Sequence, residues 1–170
     1  MSKAQNRHLI EKLAERFRVL GAQQPENWAR SEVEEGIPQL ARFLFLRQAW
    51  TQIVSESDPS WIARTIACFR ETPTVPFSGI GRAVESLRAK GATTDELTDL
   101  VRGMQALLLF ELCYQLDDPR ITEPEGRDIA WGLFQLNKDG EPIAPVTGLH
   151  ESVLETDPTG LEMRPRMDRY

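Results

Sequence analysis

The 170-residue chain predicts a mainly α-helical fold, a bundle of about six helices followed by a C-terminal β-hairpin and a docked tail. Three observations predict it. Apolar residues recur at helical spacing from Leu9 to Leu116, and prolines and glycines punctuate that pattern at helix starts and stops. After Pro119 the helical period ends, and a short apolar run meets a four-residue turn signature.

The elements follow in order. Leu9, Ile10, Leu13, Ala14, Phe17 and Leu20 form the inner stripe of a first helix that Gly21 stops. A short second helix starts at Pro25, a residue suited to the first helical position, and ends near Gly36. From Pro38, "PQLARFLFLRQAWTQIV" is apolar around most of its circumference, the mark of a helix packed on several sides. Asp58 caps a fourth helix with Pro59 in its first turn and Trp61, Ile62, Thr65, Ile66 and Phe69 inward. "ETPTVPFSGIG" is a loop, after which Ser78 caps a helix with Ile80, Ala83, Val84 and Leu87 inside and Gly91 at its end. Thr93 and Glu96 make a capping box. It opens the longest helix, from about Thr94 to Leu116, with Leu97, Leu100, Val101, Met104, Leu108 and Leu112 inward and Asp118-Pro119 as the stop. "WGLFQL" and "EPIAPV" flank the turn "NKDG" as a hairpin. Its second arm is an edge or polyproline-like strip, because Pro142 and Pro145 donate no hydrogen bond. "LHESVLE" makes a short helical turn after Gly148, and Asp157-Pro158-Thr159-Gly160 has the residues of a type I turn. Residues 1–118 are thus expected as the bundle and 119–170 as an extension packed on it, in a single domain.

Composition narrows the function classes. Apolar residues make up 41% and charged residues 27%, an ordinary globular balance. The opening "MSKAQNRH" lacks a signal peptide's apolar stretch and no segment suits a bilayer, so a cytoplasmic, non-membrane protein is expected. Cys68 and Cys113 lie in apolar helical segments and read as reduced core thiols. A net charge of −6 argues against nucleic-acid binding. That charge is uneven. Residues 1–90 hold 13 Lys and Arg against 10 Asp and Glu, whereas residues 91–170 hold 7 against 16.

Motifs of catalysis are weak. "SGIGRA" (Ser78–Ala83) lacks the preceding strand and third glycine of a dinucleotide cradle, and reads as a helix cap. His150-Glu151 begins like a zinc-protease motif, but Leu154 stands where the second histidine belongs. His8 reads as a solvent-facing helix residue. No metal, cofactor or catalytic residue is assigned. A polar pocket between helices, for small-molecule binding or catalysis, is the alternative site, with Glu111 opposite Arg42, Arg47 or Arg64 and walls from Trp50 or Trp61.

The favoured reading is binding through the acidic segment Asp117–Glu162, which holds 11 acidic against 3 basic residues. His150, Glu151, Glu155, Asp157 and Glu162 are its candidate contacts, and a basic protein is the partner the charge selects. Glu151 and Glu155 share a helical face with no basic residue in their own segment to relieve them. A regulatory adaptor or an immunity-type protein that neutralises a basic toxin fits that physics. A homodimer that exchanges tails is a further arrangement the pattern admits.

Overall fold

A computed structural model describes residues 3–119 and 121–165. The elements are α1 (Lys3–Val19), α2 (Pro25–Glu35), α3 (Gln39–Trp50), α4 (Ser60–Glu71), α5 (Ser78–Ala89), α6 (Thr94–Asp117), β1 (Leu133–Leu136), β2 (Pro142–Val146) and α7 (Leu149–Ser152), with a 3₁₀ turn at Pro124–Gly126. The molecule is mainly helical with a two-stranded antiparallel hairpin near its C-terminus. No helix among the described residues is long and apolar enough to cross a membrane.

The chain divides into two compact units. One joins Met1–Trp50 to Leu109–Arg164 and so contains α1 to α3, the end of α6, the hairpin and the tail. Its core is aromatic. Phe17, Trp28 and Phe43 are buried with Ala14 and Ala29, and Phe43 meets the other two rings edge to face at 5.6 and 5.5 Å. Ile10, Leu13, Leu20, Ala22 and Leu40 close the cluster, while Leu9, expected inward, is exposed. Pro25 occupies the first position of α2, and Gly36 ends that helix in the left-handed conformation.

The hairpin joins this unit through β2. Leu133 faces Val146 and Gln135 faces Ala144, with a bulge between Gln135 and Leu136. Asn137 shapes the turn, its Oδ1 accepting the N–H groups of Asp139 and Glu141 at 2.9 Å each. Both arms are therefore strands; β2 tolerates its two prolines because, among the described residues, the sheet has no third strand to receive their missing N–H groups. Beyond β2 the tail packs on α3. The Trp50 indole donates to the Val153 carbonyl at 2.9 Å, and Leu149 and Val153 are fully buried. At Asp157-Pro158-Thr159-Gly160 the Gly160 N–H reaches the Asp157 carbonyl at 2.9 Å, closing the expected turn.

The second unit comprises residues 51–108. Trp61, Ile62, Val84 and Leu97 form its core, with Val54, Ile66, Ala92 and Val101 against them. Helices α4 and α5 cross closely at Gly81, where an added Cβ would stand 2.3 Å from the Thr65 carbonyl oxygen and 2.6 Å from the Phe69 Cβ. The glycine of "SGIGRA" is thus a packing residue. Ser78 does not cap α5. It lies inside the helix and donates to the Pro73 carbonyl at 2.8 Å, while Phe77 takes the cap position with φ of 69°. Of the inner face expected for α5, Val84 is buried but Ile80, Ala83 and Leu87 are exposed. Asp58 does serve the start of α4, accepting the Ser60 N–H at 2.9 Å.

Helix α6 begins with the expected capping box. The Thr93 N–H donates to Glu96 at 2.7 Å, and the Glu96 N–H returns to the Thr93 hydroxyl at 3.2 Å. Its buried face differs from the expected one. Leu97 is buried and Val101 half-buried, but Leu100, Met104, Leu108 and Leu112 are exposed. Thr98, Arg102, Ala106 and Cys113 are inside instead. Polar chemistry decides this orientation. Thr98 accepts the Trp61 indole N–H at 3.1 Å, Gln105 accepts the Val54 N–H at 2.8 Å, and Arg102 donates to the Val54 carbonyl at 3.1 Å. The last two contacts satisfy both backbone groups of Val54, in the turn after α3, and the first satisfies a buried indole; each would be costly to bury unpaired.

Candidate functional site

The tail carries the candidate residues, and α3 with the end of α6 positions them. Gly148 adopts φ of 69°, and a Cβ there would stand 2.6 Å from the Arg42 guanidinium, so this glycine leaves the space that Arg42 fills. Arg42 is only 7% exposed and donates to the Ser152 hydroxyl at 3.3 Å, with its Nε unpartnered. Burial lowers its pKa, while Glu151, Asp117, Glu155 and Glu35 act in the opposite sense from a distance. One buried cation therefore faces four carboxylates.

Two of those carboxylates, Glu151 and Glu155, border a hollow of about 380 Å³ whose other walls include Trp28, Gln39, Arg42 and Ser152. Both glutamates are exposed, and neither makes an ion pair within 4.0 Å among the described residues. Gln39 is 7% exposed, donates through its side-chain nitrogen to Ser31 at 2.8 Å, and leaves Oε1 without a partner. The pKa of Glu155 is raised, first by desolvation and then by Glu162, against the pull of Arg42 and a hydrogen bond from Trp28. The site is a concave, under-neutralised acidic surface with an unused acceptor in its wall.

Two of the expected contact residues turn inward. His150 takes part in a 2.6 Å contact between Nδ1 and Asp117 Oδ2, and its backbone N–H also donates to that oxygen at 3.0 Å. Tyr114 packs on the imidazole with ring centroids 4.7 Å apart. The histidine thus ties the tail to α6. Asp157 is 1% exposed and is consumed by the turn it begins, accepting from the Thr159 N–H and hydroxyl and from the Met163 N–H. Neither side chain is free to meet a partner. Glu162 is half-buried, paired with Arg164 at 2.6 Å, and acts on the site through Glu155.

The six residues of the alternative pocket have separate employments. Trp50 anchors the tail and Arg42 lies beneath it. Arg47 is exposed and lines a smaller hollow of about 220 Å³ that Glu155 also borders. Glu111 is exposed. Trp61 serves the core of the second unit, and Arg64 is on the surface with Asp58 and Ser60. Sequence reasoning missed Gln39, Trp28 and Ser152 as site residues. Gln39 gives one signal in the sequence, a polar residue at the start of a mostly apolar helix.

Cys113 is fully buried, and burial together with Asp117 pushes its thiol up to about 12, the reverse of an activated nucleophile. Cys68 is exposed rather than part of the core, and both cysteines are free. Among the described residues no group of three or more His, Cys, Asp or Glu side chains could hold a metal ion. Comparison with protein-family models, with curated proteins and with solved structures finds no match to this chain.

Proposed function

We propose that this protein acts by binding a basic protein partner, and that the hollow bordered by Glu151 and Glu155 receives a lysine or arginine side chain of that partner. The observation that carries the reading is the pair of exposed glutamates on one concave surface, neither in an ion pair among the described residues. A carboxylate surface short of countercharge speeds encounter with a cationic partner and orients it. Arg42 does not cancel that surface, because its single charge lies beneath Ser152 and is shared among four carboxylates. The unpaired acceptor of Gln39 offers a guanidinium or ammonium group a neutral contact besides the two charged ones.

The test uses a short arginine- and lysine-bearing peptide and the indole N–H signals of the ¹⁵N-labelled protein. The expected result is a saturable shift of the Trp28 signal, absent from the Glu151→Gln, Glu155→Gln variant. No shift with the peptide, or an equal shift in the variant, overturns the reading.

A further inference from the structure

We propose that the partner enters the hollow by its carboxyl terminus, a final lysine or arginine whose free carboxylate meets the Arg42 guanidinium; this rests on the basic partner proposed above. The observation is a pair of unmet polar atoms in one wall. Gln39 and Arg42 both line the hollow, and each is 7% exposed. Each keeps one buried side-chain atom without a partner, the Oε1 acceptor of Gln39 and the Nε donor of Arg42. Ser31 takes the Gln39 side-chain nitrogen at 2.8 Å, and Ser152 takes one Arg42 Nη at 3.3 Å, a long bond. Buried polar groups are normally satisfied, and an unmet one is costly. An unmet acceptor and an unmet donor on neighbouring side chains call for a ligand that brings both kinds of group.

The chemistry of the two atoms selects the ligand. A lysine or arginine side chain carries donors alone, so it serves Gln39, Glu151 and Glu155 but never Arg42. A carboxylate carries acceptors alone, and its charge-assisted bond to a guanidinium is among the strongest in proteins. Gln39 and Arg42 are three residues apart on α3, so they share a side of the helix with Cβ atoms about 5–6 Å apart. The main chain of one terminal residue reaches both, its amide N–H toward Gln39 and its carboxylate toward Arg42. A bare anion is disfavoured, because Glu151, Asp117, Glu155 and Glu35 all act on Arg42. The ligand must bring its own cation. A basic terminal residue does so, and its side chain goes to Glu151 and Glu155 across the hollow. An internal basic residue would meet the glutamates but leave Arg42 as it is. A neutral terminal residue would meet Arg42 with nothing to offset the carboxylates around it.

The Trp28 indole signal of the full ¹⁵N-labelled chain reads the test. A short peptide with arginine as its last and only charged side chain is titrated as the free acid and as the amide. The acid should bind about tenfold more tightly than the amide, the size of one charge-assisted hydrogen bond. The same peptide ending in alanine, as the acid, should give no saturable shift. Free arginine should bind more weakly than the acid peptide, having nothing to extend beyond the hollow. Arg42→Met should bring acid and amide to equal affinity, with an unchanged Trp50 indole signal showing that the tail is still docked. Equal affinity of acid and amide for the wild type overturns the proposal and leaves the basic partner standing. Free arginine that binds as tightly as the acid peptide overturns it too, making the ligand a free amino acid. So does an acid–amide gap that survives Arg42→Met with the tail docked. If neither form shifts the signal the proposal falls, and the basic partner falls with it only when the arginine- and lysine-bearing peptide also fails.

Discussion

Single residues here carry tasks that their chemical type alone does not announce. Gly81 is one of two glycines in "SGIGRA", and the structure separates them. A Cβ at Gly81 would strike the Thr65 carbonyl and Phe69, whereas one at Gly79 meets nothing within 4 Å. Gly81→Ala should therefore cost about 2–3 kcal/mol by forcing α4 and α5 apart, and Gly79→Ala should be neutral or slightly stabilising in urea unfolding. Equal midpoints for the two variants would remove Gly81 from the helix crossing. The cysteines divide in the same way. With an aromatic disulfide reagent at mildly alkaline pH, Cys68 should react at once and Cys113 only as the chain unfolds, because Cys113 is buried and its thiol is pushed up to about 12. Two thiols of equal rate in the folded protein would contradict the burial of Cys113.

Among the elements, α6 shows both how a sequence declares a helix and where it stops declaring. The capping box is a local matter of two residues, and its energetics are local too. Thr93→Ala should cost about 1 kcal/mol by leaving orphan N–H groups at the start of α6. The Glu96 carboxylate accepts the Thr93 N–H and hydroxyl, which hold its pKa below the ordinary value, the backbone donor having the larger effect. A depressed carboxylate stabilises the fold above its ordinary pKa, and that contribution is lost as pH falls through the lowered value. The gap in stability between wild type and Thr93→Ala should accordingly narrow in acid; a gap that is constant with pH would show that Glu96 has no part in the cap. Helix existence and ends were legible because apolar period, caps, prolines and glycines act over a few residues. The buried face of α6 was not, because Leu100, Met104 and Leu108 make as good an apolar stripe as any. The inward choice is set by Val54 groups more than forty residues away, which need Gln105 and Arg102. The same reason hid the role of His150, whose partner Asp117 meets it only once the tail is folded. The turn begun by Asp157 was legible; that its carboxylate is buried and also accepts the Met163 N–H was not. Glu151 and Glu155 were legible as a pair because four-residue spacing is local. Gln39 and Trp28 joined them only through tertiary packing.

For the whole molecule the deciding quantity is the distribution of charge. The net charge is −6, and the excess of acid lies in residues 91–170, where the proposed basic partner would land. Attraction of this kind acts mainly on association, and salt screens it over about 8–10 Å. Raising ionic strength should therefore slow partner association several-fold while changing dissociation little, and a salt-independent association rate would remove electrostatic steering from the account. Glu155 adds a pH signature. Partial desolvation and Glu162 raise its pKa, so just above the ordinary carboxylate range it holds a proton more readily than a fully solvated carboxylate does. A cation seated in the hollow favours the ionised form, so binding expels that proton, and affinity must rise as pH climbs through that region. The basic peptide should bind more weakly at about pH 5 than at about pH 7, and Glu155→Gln should flatten the difference. A variant that keeps the full pH dependence would move the titrating group elsewhere in the acidic segment and take Glu155 out of the contact.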